Sequence, residues 1–179
     1  MSTPPPAATP VKLFAAVLHG PGAPLEPCLE ALGAAFSPLD FRGAPHPFTC
    51  TDYYAAEMGP DLARCLVGFE RLADPAGLVA AKHAAAAVEA RFAVGGRRTV
   101  NVDPGYLDLF KVVLASFKER GNKVYLGQGV WADVTLTWRR GGFVPLPWSF
   151  PDFRAGTYDA ELTRLRARYR EQLREAAAP

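Results

Sequence analysis

Four cations of this chain, Arg71, Lys82, Lys111 and Lys118, lie inside or at the ends of stretches patterned as strands or as an amphipathic helix. Cations held in such settings can bind an anion such as phosphate. Three carboxylates have similar surroundings: Glu70, Asp103 and Asp133. Any of them can serve as a general base or hold Mg²⁺. Tyr106, Ser116 and Thr135 add hydroxyls suited to a small ligand. Tyr53, Glu57, Asp74, Asn101 and Tyr125 complete the set of polar groups in patterned surroundings. Asn101–Thr137 holds the densest part of it. The same residues also have a plain structural reading, since a strand carboxylate flanked by lysines equally makes an ion pair that holds the fold.

Other chemistries lack their motifs. There is no GxxxxGK[ST] phosphate loop, no GxGxxG after a strand and no GxSxG elbow. His19, His46 and His83 are scattered, and Cys28, Cys50 and Cys65 are far apart and odd in number. No spacing among them suits zinc or iron, so no metal centre is expected there. Buried thiols in a reduced, cytoplasmic setting are the expectation.

The elements that must position these groups read as one α+β domain over residues 10–179, behind a disordered Pro/Ala/Thr tail at 1–9. At 179 residues the chain can bury a substantial core. A net charge of +2 is too mild to mark a dedicated nucleic-acid binder. Residues 1–10 lack a signal's basic start and apolar core, and no run is apolar enough to span a membrane.

Val11–Leu18 is an apolar run that reads as a buried strand, and Pro24–Phe36 carries apolar residues at helical spacing. Leu39–Phe41 is a short strand, and 43–60 a long irregular loop, either an aromatic-anchored surface loop or a lid. Leu62–Leu72 reads as a strand. Asp74-Pro75 opens a helix whose apolar face runs from Leu78 to Phe92. Lys82 and Glu89 flank that face, with Lys82 either snorkelling to solvent or directed at a ligand. Arg97–Val102 is a strand, and Asp103-Pro104-Gly105-Tyr106 has the composition of a type II turn.

Lys111–Lys118 is the next strand, Glu119–Asn122 a hairpin turn, and Val124–Leu126 its returning strand. Gly127-Gln128-Gly129 permits a bulge. Val130–Trp138 alternates cleanly, with Val130, Ala132, Val134, Leu136 and Trp138 on one face. Phe143–Phe153, with three prolines, reads as an extended surface arm, pinned by its aromatics or free to dock a protein partner. Thr157–Glu175 is an amphipathic helix with a Tyr158, Leu162, Leu165, Tyr169, Leu173 stripe and a solvated, arginine-rich face.

Many of these stretches together resemble an uncharacterised prokaryotic family, the domain of unknown function 4416 family. They include Pro10–Phe14, Thr51–Tyr54, Glu57–Gly59, Phe69–Leu72, Asp74-Pro75, Lys82 and Asn101–Tyr106. Lys111–Ser116, Val124–Gly127, Asp133–Leu136 and Pro147-Trp148 extend the likeness over nearly all of 10–170. The family pattern has Glu near Asp133, where this chain keeps the charge. The resemblance implies one single-domain family and brings no activity.

The expected architecture is a mostly antiparallel sheet with ferredoxin-like βαβ units, a hairpin extension and a C-terminal amphipathic helix. Two functions fit. One is the binding of a small anionic, phosphate- or nucleotide-like ligand on one face of the sheet, with catalysis and Mg²⁺ as extensions. The other is a non-catalytic module, in which Trp131, Tyr125 and nearby lysines stack bases of single-stranded RNA or the arm docks a protein. Convergence of Arg71, Lys82, Lys111 and Asp133 favours the first. Scatter, with Trp131 and Tyr125 on a flat exposed face, favours the second.

Overall fold

Strand β1 (Lys12–His19) is buried along almost its whole length because it lies at the centre of the sheet. It pairs antiparallel with β4 (Ala63–Phe69) on one side and β5 (Val100–Leu107) on the other. Its alternate residues feed two cores. Leu13, Ala15 and Val17 pack with Leu29 and Leu32 of α1 (Leu25–Ala35) and with Ala81, Ala85 and Val88 of α3 (Leu78–Arg91) on what we call the first face. Phe14 and Ala16 pack with Leu162, Leu165 and Tyr169 of α5 (Asp159–Ala177) on the second face. A strand with both faces covered reads as a continuous apolar run. The computed structural model describes residues 6–177, so residues 1–5 of the expected tail lie outside the described residues.

The remaining elements are β2 (Leu39–Arg42), β3 (His46–Pro47), α2 (Ala55–Met58), β6 (Lys111–Ser116), β7 (Val124–Gly127), β8 (Val130–Arg139), β9 (Gly142–Pro145) and α4 (Pro151–Arg154). The sheet order is β2-β4-β1-β5-β6-β8-β7, with β3 on β4 and β9 on β8, and every pairing is antiparallel. The order β2-β4-β1-β5, with α1 and α3 as crossovers, is the ferredoxin-like split βαβ arrangement. Strands β6 to β9 extend it. Among the described residues no helix is long and apolar enough to cross a membrane.

Four expectations are corrected. Asp103–Tyr106 is not a turn but the continuation of β5. Gly105 sits there without positive φ, because a Cβ would lie 2.4 Å from the Val113 carbonyl oxygen and 2.8 Å from Leu114 Cδ2. The need is close approach of two strands, not a left-handed backbone. Next, Arg120–Lys123 does turn, with Lys123 N–H donating to the Arg120 carbonyl at 2.9 Å, but β7 pairs with β8 rather than back onto β6. The tight hairpin is instead at Gly127-Gln128-Gly129, all three with positive φ, and a register shift follows Tyr125.

The alternation of β8 is broken by a bulge: Val112 pairs with Leu136 and Val113 with Val134, which leaves Thr135 without a partner. Parity flips at that residue. Val130, Ala132 and Val134 pack on the first face with Leu78, whereas Leu136 and Trp138 pack on the second. Finally, the arm is an edge strand at its start and a helical turn at its end. Trp148 Nε1 donates to the Val134 carbonyl at 2.9 Å and Ser149 Oγ to the Thr135 carbonyl, so the arm satisfies the backbone freed by the bulge.

Smaller differences follow from local geometry. The strand expected to Leu72 stops at Phe69, and the helix begins with a 3₁₀ turn at Pro75–Gly77, where Asp74 accepts from Ala76 N–H at 2.8 Å. Lys12 is fully buried and donates to Asp40 Oδ2 (2.5 Å), the Phe69 carbonyl (2.7 Å) and Gln172 Oε1 (3.0 Å), tying α5 to the sheet.

Two predictions follow from this packing. Gly105→Ala should cost about 1–3 kcal/mol in urea denaturation, as overpacking does, and an unchanged midpoint would contradict the strand contact. Burial pushes the Cys28 thiol up to about 12 and the Cys65 thiol up to about 11. A thiol reagent at pH 8 should therefore modify half-buried Cys50 first, with the other two reacting only on unfolding. Rapid modification of all three in the native chain would refute it.

Candidate functional site

The ladder between β5 and β6 begins only at Gly105, opposite Leu114. Upstream, Val100–Pro104 has β1 on one side and no strand on the other, which is where a proline in a strand is tolerated. An open strand edge leaves backbone groups to be satisfied. Helix α3 supplies the partners. Glu89 Oε1 accepts from Val102 N–H at 2.6 Å, and Lys82 Nζ donates to the Val102 carbonyl at 3.1 Å. The seven-residue spacing of Lys82 and Glu89, two helical turns, thus stands in for the missing strand. Lys82 does not snorkel to solvent. It is 5% exposed and points through the opening.

Beyond Val102, Lys82 Nζ donates to Asp103 Oδ1 at 3.0 Å. Asp103 lies on the second face, since it alternates with Gly105, which pairs with Phe14. A cation from the first-face helix therefore meets a carboxylate on the opposite face. Asn101 Nδ2 donates to Asp103 Oδ2 at 3.0 Å, and Asn101 Oδ1 accepts from Arg98 Nη1 at 2.6 Å. Arg98 forks onto Glu57 of α2, at 2.9 Å from Nε and 2.6 Å from Nη2. That bidentate pair anchors the loop 43–60 over the opening.

Two further groups border Asp103. Arg64 of β4 is 4% exposed and donates from Nη1 to Asp152 Oδ2 at 2.6 Å, where the Tyr158 hydroxyl also donates at 2.7 Å. Its guanidinium lies 4.3 Å from the Phe48 ring centre and 5.5 Å from that of Phe150, and its Nε is buried without a partner. On the other side, Lys123 Nζ donates to Ser116 Oγ at 2.9 Å and lies 3.9 Å from Asp133 Oδ2. Asn122 Nδ2 donates to Asp133 Oδ1 at 3.1 Å. Exposed Lys118 lies 3.6 Å from the Tyr53 ring centre, with Tyr54 behind at 5.8 Å.

Asp103 is the charge these groups share, acting on Lys82, Arg64, Lys123, Tyr54 and Glu89. Burial works to raise its carboxyl, but the charges of Lys82 and Arg64 and two hydrogen bonds hold it below the usual range. Asp133 goes the other way: burial raises it and Lys123 only partly opposes. Burial lowers the Lys123 ammonium and raises the Tyr54 hydroxyl to about 12. The neighbouring Lys118 ammonium lowers the Tyr53 hydroxyl. Two carboxylates with oppositely shifted acidities suit different roles.

Of the residues singled out from sequence, Tyr53, Glu57, Lys82, Asn101, Asp103, Ser116, Lys118 and Asp133 gather here. The others do not. Arg71 and Tyr106 line a cavity on the first face. Glu70 is exposed, and its carbonyl accepts from Gln172 Nε2 at 2.5 Å. Lys111 is paired with Asp108. Thr135 is buried at the bulge, its hydroxyl donating to the Asp133 carbonyl at 3.2 Å.

Sequence reading does not reach Arg64, Arg98, Lys123 or Asp152. Arg64 had one signal, a lone charge inside the apolar run Leu62–Phe69. The donor set does not fit a divalent cation. Both Asp103 oxygens are held by nitrogen donors, Asp133 is held by Asn122 and Lys123, and no group of three metal-ligating side chains occurs among the described residues.

Comparison with known proteins gives one match. A family model described as Domain of unknown function (DUF4416) matches residues 9–169. No curated protein and no solved structure matches the chain.

The Asp103 carboxylate, 26% exposed, gives a pH signature. Its folded-state acidity lies below its unfolded value, so its stabilisation is present above the unfolded value, about 3.9, and is lost as pH falls through the folded one. Asp103→Asn should cost about 1.5–3 kcal/mol at pH 7, and the difference from the parent should shrink below about pH 3.9. Urea denaturation across pH measures it, and a pH-independent cost would show that the charge is not what Lys82 holds.

Proposed function

This chain belongs to the DUF4416 family, and because that membership carries no activity we propose from the site itself that it binds a small anionic, phosphate- or nucleotide-like ligand on the second face of its sheet. One observation carries the reading. Four cations of the cluster have a carboxylate within 4.0 Å: Arg64 has Asp152, Lys82 has Asp103, Arg98 has Glu57 and Lys123 has Asp133. Lys118 has none among the described residues, and it is exposed. A ring face holds the ammonium without neutralising it. An anion bound there gains a charge-assisted contact, and the polar groups around Asp103 are placed to hydrogen-bond the rest of the ligand.

The reading extends to catalysis through Asp133 and Lys123. Burial brings a carboxyl up and an ammonium down, 3.9 Å apart, so their acidities move toward each other, as a proton donor and acceptor require. Ionised Asp103 then acts as a fixed acceptor rather than as a base.

A second reading has its own support. Tyr125 is 55% exposed and its ring centre lies 4.9 Å from that of Trp131, an aromatic platform near the edge strand. Arg71 and Lys111 are not with Lys82, as the anion site in its widest form required. Base stacking by a single-stranded RNA fits such a platform.

Titration calorimetry with inorganic phosphate, a nucleoside monophosphate, a nucleoside triphosphate and a single-stranded oligouridylate separates the two. The expected result is saturable binding of a phosphate compound, weakened about ten-fold or more by Lys118→Ala at unchanged folding, as loss of a charged hydrogen bond implies. Binding of none of the four, or binding indifferent to Lys118, overturns the anion site. Oligonucleotide binding abolished by Tyr125→Ala but not by Lys118→Ala selects the second reading.

A further inference from the structure

The first face holds a cavity of about 390 Å³ between α1 and α3. That is within the range of small-molecule sites, about 300–1,000 Å³. Its existence follows from the sequence of α3. Ala80, Ala81 and Ala84 line it, and methyl side chains cannot fill the space to α1. Leu13 of β1 and Phe36 beyond α1 add apolar surface.

The polar groups on its lining are few. Arg71 is held by its Nη2, which donates to the Phe36 carbonyl at 2.7 Å, and it has no carboxylate within 4.0 Å among the described residues. Ser37 Oγ accepts from Arg71 N–H at 3.0 Å, which leaves its own proton to donate. Asp74, the one acid there, already accepts from Ala76 N–H at the start of the 3₁₀ turn. An apolar chamber with one guanidinium free of any carboxylate and two hydroxyl donors, of Ser37 and Tyr106, matches a ligand with an apolar body and a single anionic end.

We propose that this cavity is a binding site for a small aliphatic monocarboxylate, its chain among the alanines of α3 and its carboxylate on Arg71 and Ser37. It lies on the opposite face from the Asp103 cluster and shares no residue with it, so it stands apart from the anion site proposed there.

Titration calorimetry of the full chain with octanoate and with octanol tests it. Octanoate should bind saturably with one equivalent, and octanol about ten-fold more weakly, for want of the charged contact. Arg71→Gln should remove that preference, and Ala84→Phe should abolish binding of both by filling the chamber. Ala80→Leu, at a more exposed position of α3, repeats the filling test should Ala84→Phe fail to fold. Lys118→Ala should leave octanoate binding unchanged. No saturable octanoate binding at millimolar concentration, an Arg71→Gln variant that keeps the preference, or a filled variant that binds as before each overturns the proposal.

Discussion

A β-strand edge inside a protein must find partners for its N–H and C=O groups, and at Val102 those partners are side chains of a helix. Lys82 and Glu89 of α3 take the carbonyl and the amide that β6 would have taken had it run alongside. This substitution keeps β5 and β6 apart upstream of Gly105 and so creates the opening in the sheet. A buried ammonium and a buried carboxylate are costly to desolvate and stay only where hydrogen bonds satisfy them. The Lys82 bond to Asp103 is part of that satisfaction. Removing either helix residue would strand a backbone group or a charge, so helix, strand edge and Asp103 cluster form one dependency.

The bulge at Thr135 is the second constraint. Without it β8 would face a single core. With it the strand serves the first face through Val134 and the second through Leu136. The local break in the ladder is repaired by the arm, whose Trp148 and Ser149 donate to the Val134 and Thr135 carbonyls. The prolines of the arm suit an edge position, and its polar side chains hold it there. Asp133, just before the bulge, points to the second face because it alternates with Ala132 and Val134 on the first.

The two faces have acquired different characters. The second face gathers charges of both signs around the opening, nearly balanced, with Lys118 left over at the rim. The first face has an apolar chamber and a single guanidinium. The chamber stems from three alanines on α3, the same helix that sends Lys82 through the sheet.

Period and punctuation in the sequence determined much of this. The buried run of β1, the apolar stripes of α1 and α5, the Asp74-Pro75 start and the ferredoxin-like order of elements are local or nearly local properties, legible because burial imposes a period on each. Lys82, Asp103, Ser116, Lys118 and Asp133 stand out as polar residues in such patterns. Only the tertiary structure decided what those patterns meant. Asp-Pro-Gly-Tyr has turn composition, but the approach of β6 to Gly105 makes it strand. A one-residue bulge reverses an alternation that looks unbroken, because nothing in residues 130–138 records the partner's register. Arg64, Arg98, Lys123 and Asp152 join the site through contacts between residues far apart in the chain or on turns without period. Arg71 and Lys111 leave it because Arg71 lies past the end of β4 and Lys111 starts β6, each at the end of its strand away from the opening. Periodicity tells a residue which side of its own element it occupies; which opposite charge lies there depends on how the elements pack.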